Sequence, residues 1–205
     1  LSKLVEREAR KLDIDSADAA NLGHADQIGL SPVGVSAKRL FDILFSCALL
    51  VASAPILALA AIAIKLQDGG PVFYRQERVG LLGSTFTLIK LRSMSINAEA
   101  DGVQRWACKQ DSRVTTVGNF LRRSRIDEIP QLLNVLRGEM SMVGPRPERP
   151  GIVSQLERQI ANYSVRHRVS PGITGWAQIS YPYGASLEDA IEKTAYDLYY
   201  VKNAS

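Results

Sequence analysis

The sequence predicts a mixed α/β protein, mostly helical with a small β-sheet, held in a membrane by one apolar segment. Three observations carry that expectation. An uncharged stretch runs for 22 residues from Ile43 to Ile64. Two short strand-like runs separated by glycines lie between Val72 and Lys90. Downstream, three stretches carry apolar residues at helical spacing. At 205 residues the chain can form one ordinary domain with its own core, plus appendages.

Residues 1–36 are polar and read as a short helix and linker. The chain starts at Leu1 rather than Met, so this segment is expected to be the tail of something longer. Residues 37–67 form the membrane segment and residues 68–205 the domain that carries the polar chemistry. Lys plus Arg number 25 and Asp plus Glu 21, a net charge of +4. That mild excess suits anionic lipid or nucleotide ligands and is too small to argue for nucleic acid. No aromatic stacking ladder accompanies the arginines, which also speaks against a nucleic-acid binder. Cys47 and Cys108 suggest neither a disulfide framework nor a zinc site. His24 and His167 lack metal-ligand spacing.

The stretch Ile43–Ile64 is long enough to cross a bilayer as a helix. Two features point elsewhere. Pro55 sits at its middle, where it removes a helical hydrogen bond and favours a kink, and the Ser53 hydroxyl is placed to serve a freed carbonyl. Basic residues flank both ends, with Lys38 and Arg39 before and Lys65, Arg75 and Arg78 after, which favours the same side of the membrane for both. From the residues alone, a spanning helix and a re-entrant one are equally supported.

Beyond it, Gly69-Gly70-Pro71 breaks the helix. Val72–Arg75 and Thr85–Lys90 read as strands joined through the Gly80–Gly83 turn. Met94–Gln104 reads as a helix, Trp106–Arg113 has no clear pattern, and Val117–Ser124 leads into the next helix. Pro150–Ala161 has apolar residues at Ile152, Val153, Leu156 and Ile160. Val169–Ser180 is turn-rich with room for a short strand. Ser186–Val201 opens with Ser-Leu-Glu-Asp, a variant capping box, and carries Ile191, Ala195, Leu198 and Tyr199 on one side.

Leu121–Pro147, LRRSRIDEIPQLLNVLRGEMSMVGPRP, is the most informative stretch. Asp127 and Glu128 form a carboxylate pair just ahead of Leu132, Leu133, Val135 and Leu136, with Gly138 as the stop. Asp127 is expected to cap the helix and to stay ionised at its positive end. Pro130 fits the first turn. Arg122, Arg123, Arg125, Arg137, Arg146 and Arg149 surround the pair with cationic forks suited to phosphate. Pro145 and Pro147 stiffen the backbone around Arg146.

These blocks together resemble the bacterial sugar transferases, the monotopic phosphoglycosyl transferases that start glycoconjugate assembly. The matching segments are KRLFD (38–42), GGPVFYRQERVG (69–80), FTLIKLRSM (86–94), residues 111–147 and PGITGWAQIS (171–180), in family order. The resemblance implies a monotopic, membrane-embedded α/β domain with a re-entrant helix-break-helix hairpin, facing the cytoplasm from the bacterial inner membrane. It implies transfer of a sugar 1-phosphate from a UDP-sugar to polyprenyl (undecaprenyl) phosphate with release of UMP, the first membrane step in making exopolysaccharide, O-antigen or a related glycoconjugate. Asp127 matches the family nucleophile, which forms a covalent phosphosugar intermediate, and Glu128 its partner at the Mg²⁺ site. Metal and arginines would offset the repulsion between a carboxylate and a diphosphate.

Arg146 is the leading phosphate-binding candidate, followed by Arg125, Lys90 and Arg92. Glu77 and Arg78 are read as pairing with other charges. Trp176 and Gln178 are placed for nucleotide contact, with Trp176 better suited to a core. One departure stands out: family members commonly have Ser-Pro at the helix break, where this chain has Ala54-Pro55 with Ser53 one place earlier. Larger members carry extra N-terminal regions, so the chain is expected to be the catalytic core of a longer protein. The rival reading is a non-catalytic membrane scaffold of a polysaccharide assembly system. Membrane lipid is an expected partner and a homodimer is compatible with the pattern. The sugar is not legible.

Overall fold

In the computed structural model, residues 10–12, 14, 32–96, 98, 111–182, 184 and 186–203 are described. The first element, α1, is a 37-residue helix over Pro32–Asp68. It is long and apolar enough to cross a membrane. The helix is continuous through Pro55, so proline has not changed the secondary structure. Ser53 Oγ donates to Leu49 O at 2.6 Å and to Leu50 O at 3.4 Å. Proline at 55 frees the carbonyl four residues earlier, at Val51, so the hydroxyl does not serve the freed group.

The two arms of α1 pack on the rest of the protein while its middle does not. Leu40, Phe41, Leu44, Val51, Ile56, Leu59, Ile62 and Leu66 are exposed, whereas Asp42, Ser46, Ala60 and Ile64 are buried. On the first arm, Asp42 accepts from Ser141 Oγ at 2.8 Å and from Met142 N at 3.1 Å, and Lys38 bridges Asp42 and Ser141. Arg39 donates to the carbonyls of Val135 at 2.6 Å and Leu136 at 2.8 Å. These are carbonyls of the last turn of a helix, where a cation is favoured. On the second arm, Ala60 and Ile64 join Leu91 and Leu121 in a core cluster, with Leu57, Val72, Val117 and Ile126 against it.

Strands β1 (Phe73–Val79) and β2 (Thr85–Leu91) form an antiparallel hairpin. The loop between them is a single 3₁₀ turn, Leu81–Gly83. β1 runs past Arg75 to Val79 because the alternation of exposed and half-buried residues continues that far. Tyr74, Gln76 and Arg78 share one face, and Tyr74 lies opposite Lys90. Met94 does not start a helix: it bridges to Val114 across an antiparallel contact. The remainder of the expected 94–104 helix, apart from 95, 96 and 98, lies outside the described residues, as do Trp106, Cys108 and His24.

Helix α2 (Thr116–Arg123) is capped by Thr115, whose hydroxyl accepts from Gly118 N. A 3₁₀ turn, Ile126–Gln131, follows and leads directly into α3 (Leu132–Arg137). Gly138 closes α3 in the left-handed conformation at φ 84°, the C-terminal stop expected there. Asn134, fully buried, ties α3 to the hairpin: its amide donates to Thr87 O at 2.8 Å and its carbonyl accepts from Ile89 N at 3.1 Å.

β3 (Ser141–Val143) and β4 (Gly172–Thr174) pair in parallel. A side chain at Gly144 would collide with the backbone at Ser170 and Gly172, and one at Gly175 with Gly144 O, so a glycine follows each strand. Helices α4 (Pro150–Gln159), α5 (Trp176–Ser180) and α6 (Leu187–Asn203) complete the fold. Ser186 and Asp189 cap α6 reciprocally, at 2.9 and 3.1 Å, as a capping box does. Val79 joins Ile152, Val153, Leu156, Ile160 and Tyr163 in the core between hairpin and α4.

Candidate active site

The hairpin, the 3₁₀ turn of residues 126–131, the Pro145–Pro147 loop and α6 enclose a cavity of about 800 Å³. Asp127, Glu128, Lys90, Arg122 and Arg146 all line it. The turn owes its shape to Arg125, which adopts φ 59°, ψ 12°. A non-glycine residue in that region carries strain that the surroundings must hold. The backbone then coils so tightly that both adjacent acids lie within the turn.

Asp127 is therefore not a cap. It sits inside the 3₁₀ turn, 5% exposed, and its Oδ1 is buried with no hydrogen-bond partner. Burial, then the neighbouring Glu128 charge, push its carboxyl up to about 6, against the opposing pull of Lys90, Arg122 and Arg146. Desolvation outweighs any terminal dipole here, so the charge is poorly solvated rather than eased by a helix end. Glu128 has the opposite fate. Burial disfavours its charge, but Arg146 by charge and hydrogen bond, and then Arg125, hold it below its ordinary value. Arg146 Nη2 lies 2.8 Å from Glu128 Oε1 and Arg125 Nη1 lies 3.7 Å from it. The Arg125 side chain is largely exposed, at 72%, so its hold is the weaker. Two adjacent carboxylates are thereby driven apart in acidity.

Lys90 stands across the hairpin from Tyr74, its amine 5.2 Å from the ring centroid. Burial, then Arg78 and Arg146, lower it to about 8. Arg92 is placed differently from expectation. It borders the cavity, and its Nη2 is held by Asp68 at the end of α1, so this guanidinium ties α1 to the end of β2.

Arg78 is 13% exposed in its side chain. It donates to Pro147 O at 2.8 Å and to Gln76 Oε1 at 2.7 Å, and pairs with Glu148 at 3.4 Å. It is thus a wall residue of the cavity. Glu77 is exposed on the other face. Gln178 lines the cavity with a buried Oε1 that has no partner. Trp176 is only half-buried, 6.5 Å from Tyr199 and hydrogen-bonded to Arg10 O at 3.0 Å; it joins neither the main core nor the cavity wall.

Sequence reasoning singled out neither Tyr163, Arg166 nor Asp197, which also line the cavity. Asp197 carried a readable signal: it interrupts the apolar side of α6 next to Ala195 and Leu198, where an acid is buried only if paired. Arg166 had none beyond its place in a basic Arg-His-Arg run.

Among the described residues no three His, Cys, Asp or Glu side chains form a metal cluster. The chemistry present still suits Mg²⁺: two adjacent carboxylates, one with a buried oxygen lacking a partner. That ion binds through one or two carboxylates and keeps waters or phosphate oxygens for the rest.

The sequence model for the family described as "Bacterial sugar transferase" matches residues 33–205. The UDP-N-acetylgalactosamine-undecaprenyl-phosphate N-acetylgalactosaminephosphotransferase of Aeromonas hydrophila is 44% identical over 185 residues, covering 89% of this chain and 44% of that protein. The UDP-glucose:undecaprenyl-phosphate glucose-1-phosphate transferase of Escherichia coli K12 is 44% identical over 178 residues, 86% of this chain and 38% of that one. A protein of the same name from Caulobacter vibrioides is 42% identical over 170 residues, 82% and 63%. The chain thus spans less than half the length of the first two.

Proposed function

The chain belongs to the bacterial sugar transferase family, and from that premise we propose that it moves a sugar 1-phosphate from a UDP-sugar to polyprenyl phosphate. The observation that carries the reading is Asp127: a buried carboxylate with an unpartnered oxygen, on the wall of a cation-lined cavity beside a second acid that Arg146 secures. In the first step an Asp127 oxygen attacks the sugar-bearing phosphorus. The bond from that phosphorus to the bridging oxygen breaks, and UMP leaves with the electron pair. In the second step a polyprenyl phosphate oxygen attacks the same phosphorus, the Asp127–phosphorus bond breaks, and the lipid diphosphate sugar departs. The covalent intermediate splits one difficult transfer into two easier steps.

The residues supply what such steps require. Burial raises Asp127 to about 6, so the group is ionised at neutral pH yet poorly solvated, which favours attack. Lys90, Arg122 and Arg146, whose charges reach Asp127, offset charge on the diphosphate. Asp127 and Glu128 would hold Mg²⁺, which supplies further neutralisation of phosphate charge when bound.

A re-entrant α1, entering and leaving the cytoplasmic leaflet of the inner membrane, is part of the same reading. A straight helix would set Arg39 and Ile64 roughly 37 Å apart at 1.5 Å per residue. Yet Arg39 holds α3 carbonyls and Ile64 packs on Leu91 and Leu121 of the same small body. Pro55 lies between the arms, where the exposed apolar residues continue. The arrangement supports a bend there that returns the chain to the leaflet it entered, placing the cavity near the acceptor phosphate.

The test is UMP release from a panel of UDP-sugars, with Mg²⁺ and polyprenyl phosphate, by protein in lipid discs. One productive donor, silenced by Asp127→Asn, is the expected result. Silence across the panel from folded protein would overturn it in favour of a scaffold. Relatives named for glucose and for N-acetylgalactosamine transfer are equally similar, each 44% identical, so the panel also names the sugar.

A further inference from the structure

The loop that carries Arg146 consists of acceptors it cannot satisfy by itself. Pro145 and Pro147 have no N–H, yet four consecutive carbonyls are each met from outside. Pro145 O accepts from Gly172 N at 2.9 Å and Glu148 O from Val79 N at 2.9 Å. Pro147 O accepts from Arg78 at 2.8 Å, and Arg146 O from Arg166 Nη2 at 2.8 Å.

Arg166 is the donor that demands a reason. It is 5% exposed, and it pairs with Asp197 through Nε at 3.0 Å and Nη2 at 2.6 Å while Nη1 donates to Tyr163 Oη at 3.1 Å. A buried ion pair is rarely the most stable filling of such a space, since apolar side chains of similar volume do as well or better. What it supplies is direction. A guanidinium held on one edge by a carboxylate and at its tip by a phenol presents the second N–H of Nη2 along one fixed line, and that line ends on the carbonyl of Arg146.

We propose that Arg166, held by Asp197 and Tyr163, is a positioning residue that aims the Arg146 side chain at Glu128 and at the phosphate it would bind. The prolines restrict the backbone on either side of Arg146, and Arg166 fixes its carbonyl. Arg166 acts through Arg146 and not on the substrate. The kinetic side of this proposal rests on the transferase reading above.

Two readouts separate it from a merely structural role. The first needs no substrate: the Nε–H resonance of the Arg146 guanidinium, sharp while the group is held on Glu128, broadens or vanishes in Arg166→Lys. The second is a double-mutant cycle on UMP release. Misplacing a phosphate-binding group by about 1 Å costs on the order of a hundredfold, so Arg166→Lys is expected to lower kcat/KM by about ten- to a hundredfold. In the Arg146→Ala background it should lower it by less than about threefold, because the group it positions is gone. Should Arg166→Lys fail to fold, Tyr163→Phe removes one hydroxyl only and takes both readouts, with a loss of about threefold expected. An unmoved Arg146 resonance, with equal losses in both backgrounds, would overturn the proposal. If the wild type releases no UMP but the resonance responds, the transferase reading falls and the positioning stands. If UMP is released and the resonance is indifferent, the reverse holds.

Discussion

Asp127→Asn should make the protein more stable while it abolishes transfer. Folding raises this carboxyl from 3.8 to about 6 through burial and the Glu128 charge. At about 1.36 kcal/mol for each tenfold change in acidity, ionised Asp127 costs the folded state about 3 kcal/mol at neutral pH. Since the folded state holds the proton more tightly, this cost is absent well below pH 4, grows between about pH 4 and 6, and is complete above about 7. Asparagine has nearly the same shape and never pays it. For a chain of this size, about 3 kcal/mol corresponds to roughly 6–12 °C in Tm. The assay is thermal unfolding of both proteins in detergent with a chelator present, at pH 4.5 and pH 8. The variant should melt higher at pH 8, and by only about a third as much at pH 4.5, where about 1 kcal/mol of the cost is present. A variant no more stable at pH 8, or one with the same gain at both values, would refute the reasoning that desolvated charge strains this site. Adding Mg²⁺ at pH 8 should close part of the gap, because the ion would stabilise only the wild-type pair.

Two further outcomes follow from other residues. Initial rates of UMP release measured from pH 5 to 9.5 should rise through about 6 as Asp127 loses its proton and fall above about 8 as Lys90 loses its own; Lys90→Arg should remove the upper limb and keep the lower one. Asn134→Leu should lower stability by about 2–4 kcal/mol in urea unfolding, since it leaves Ile89 N–H and Thr87 C=O without their buried partner.

Much of this fold was legible because its signals are local. Pro150–Ala161 was expected as a helix and Pro150–Gln159 forms one; Ser186–Val201 was expected and Leu187–Asn203 is found, its start fixed by the Ser186–Asp189 cap. The β1–β2 hairpin lies where alternation and glycine placed it, and Gly138 stops α3. The acids and Arg146 were likewise visible as residue types suited to phosphate chemistry. The misreadings each involve a partner distant in sequence or a backbone conformation with no composition cue. Met94 was drawn into a bridge with Val114. Arg92 lines the cavity as a cation, but no spacing announced that its Nη2 would also be held by Asp68. Arg125 in the left-handed region converts an expected helix cap into a 3₁₀ turn.

By itself, then, the sequence determined the apolar helix, the hairpin, the amphipathic helices and the acidic pair among arginines, because spacing, capping and charge type act over a few residues. Only the tertiary structure decided which of those charges meet. It buried Asp127 without a hydrogen-bond partner for Oδ1 while securing Glu128 with Arg146, and it brought Arg166 and Asp197 behind the loop that carries Arg146. Burial and charge pairing depend on neighbours many residues away, so the acidity that gives the two carboxylates different roles exists only in the folded chain.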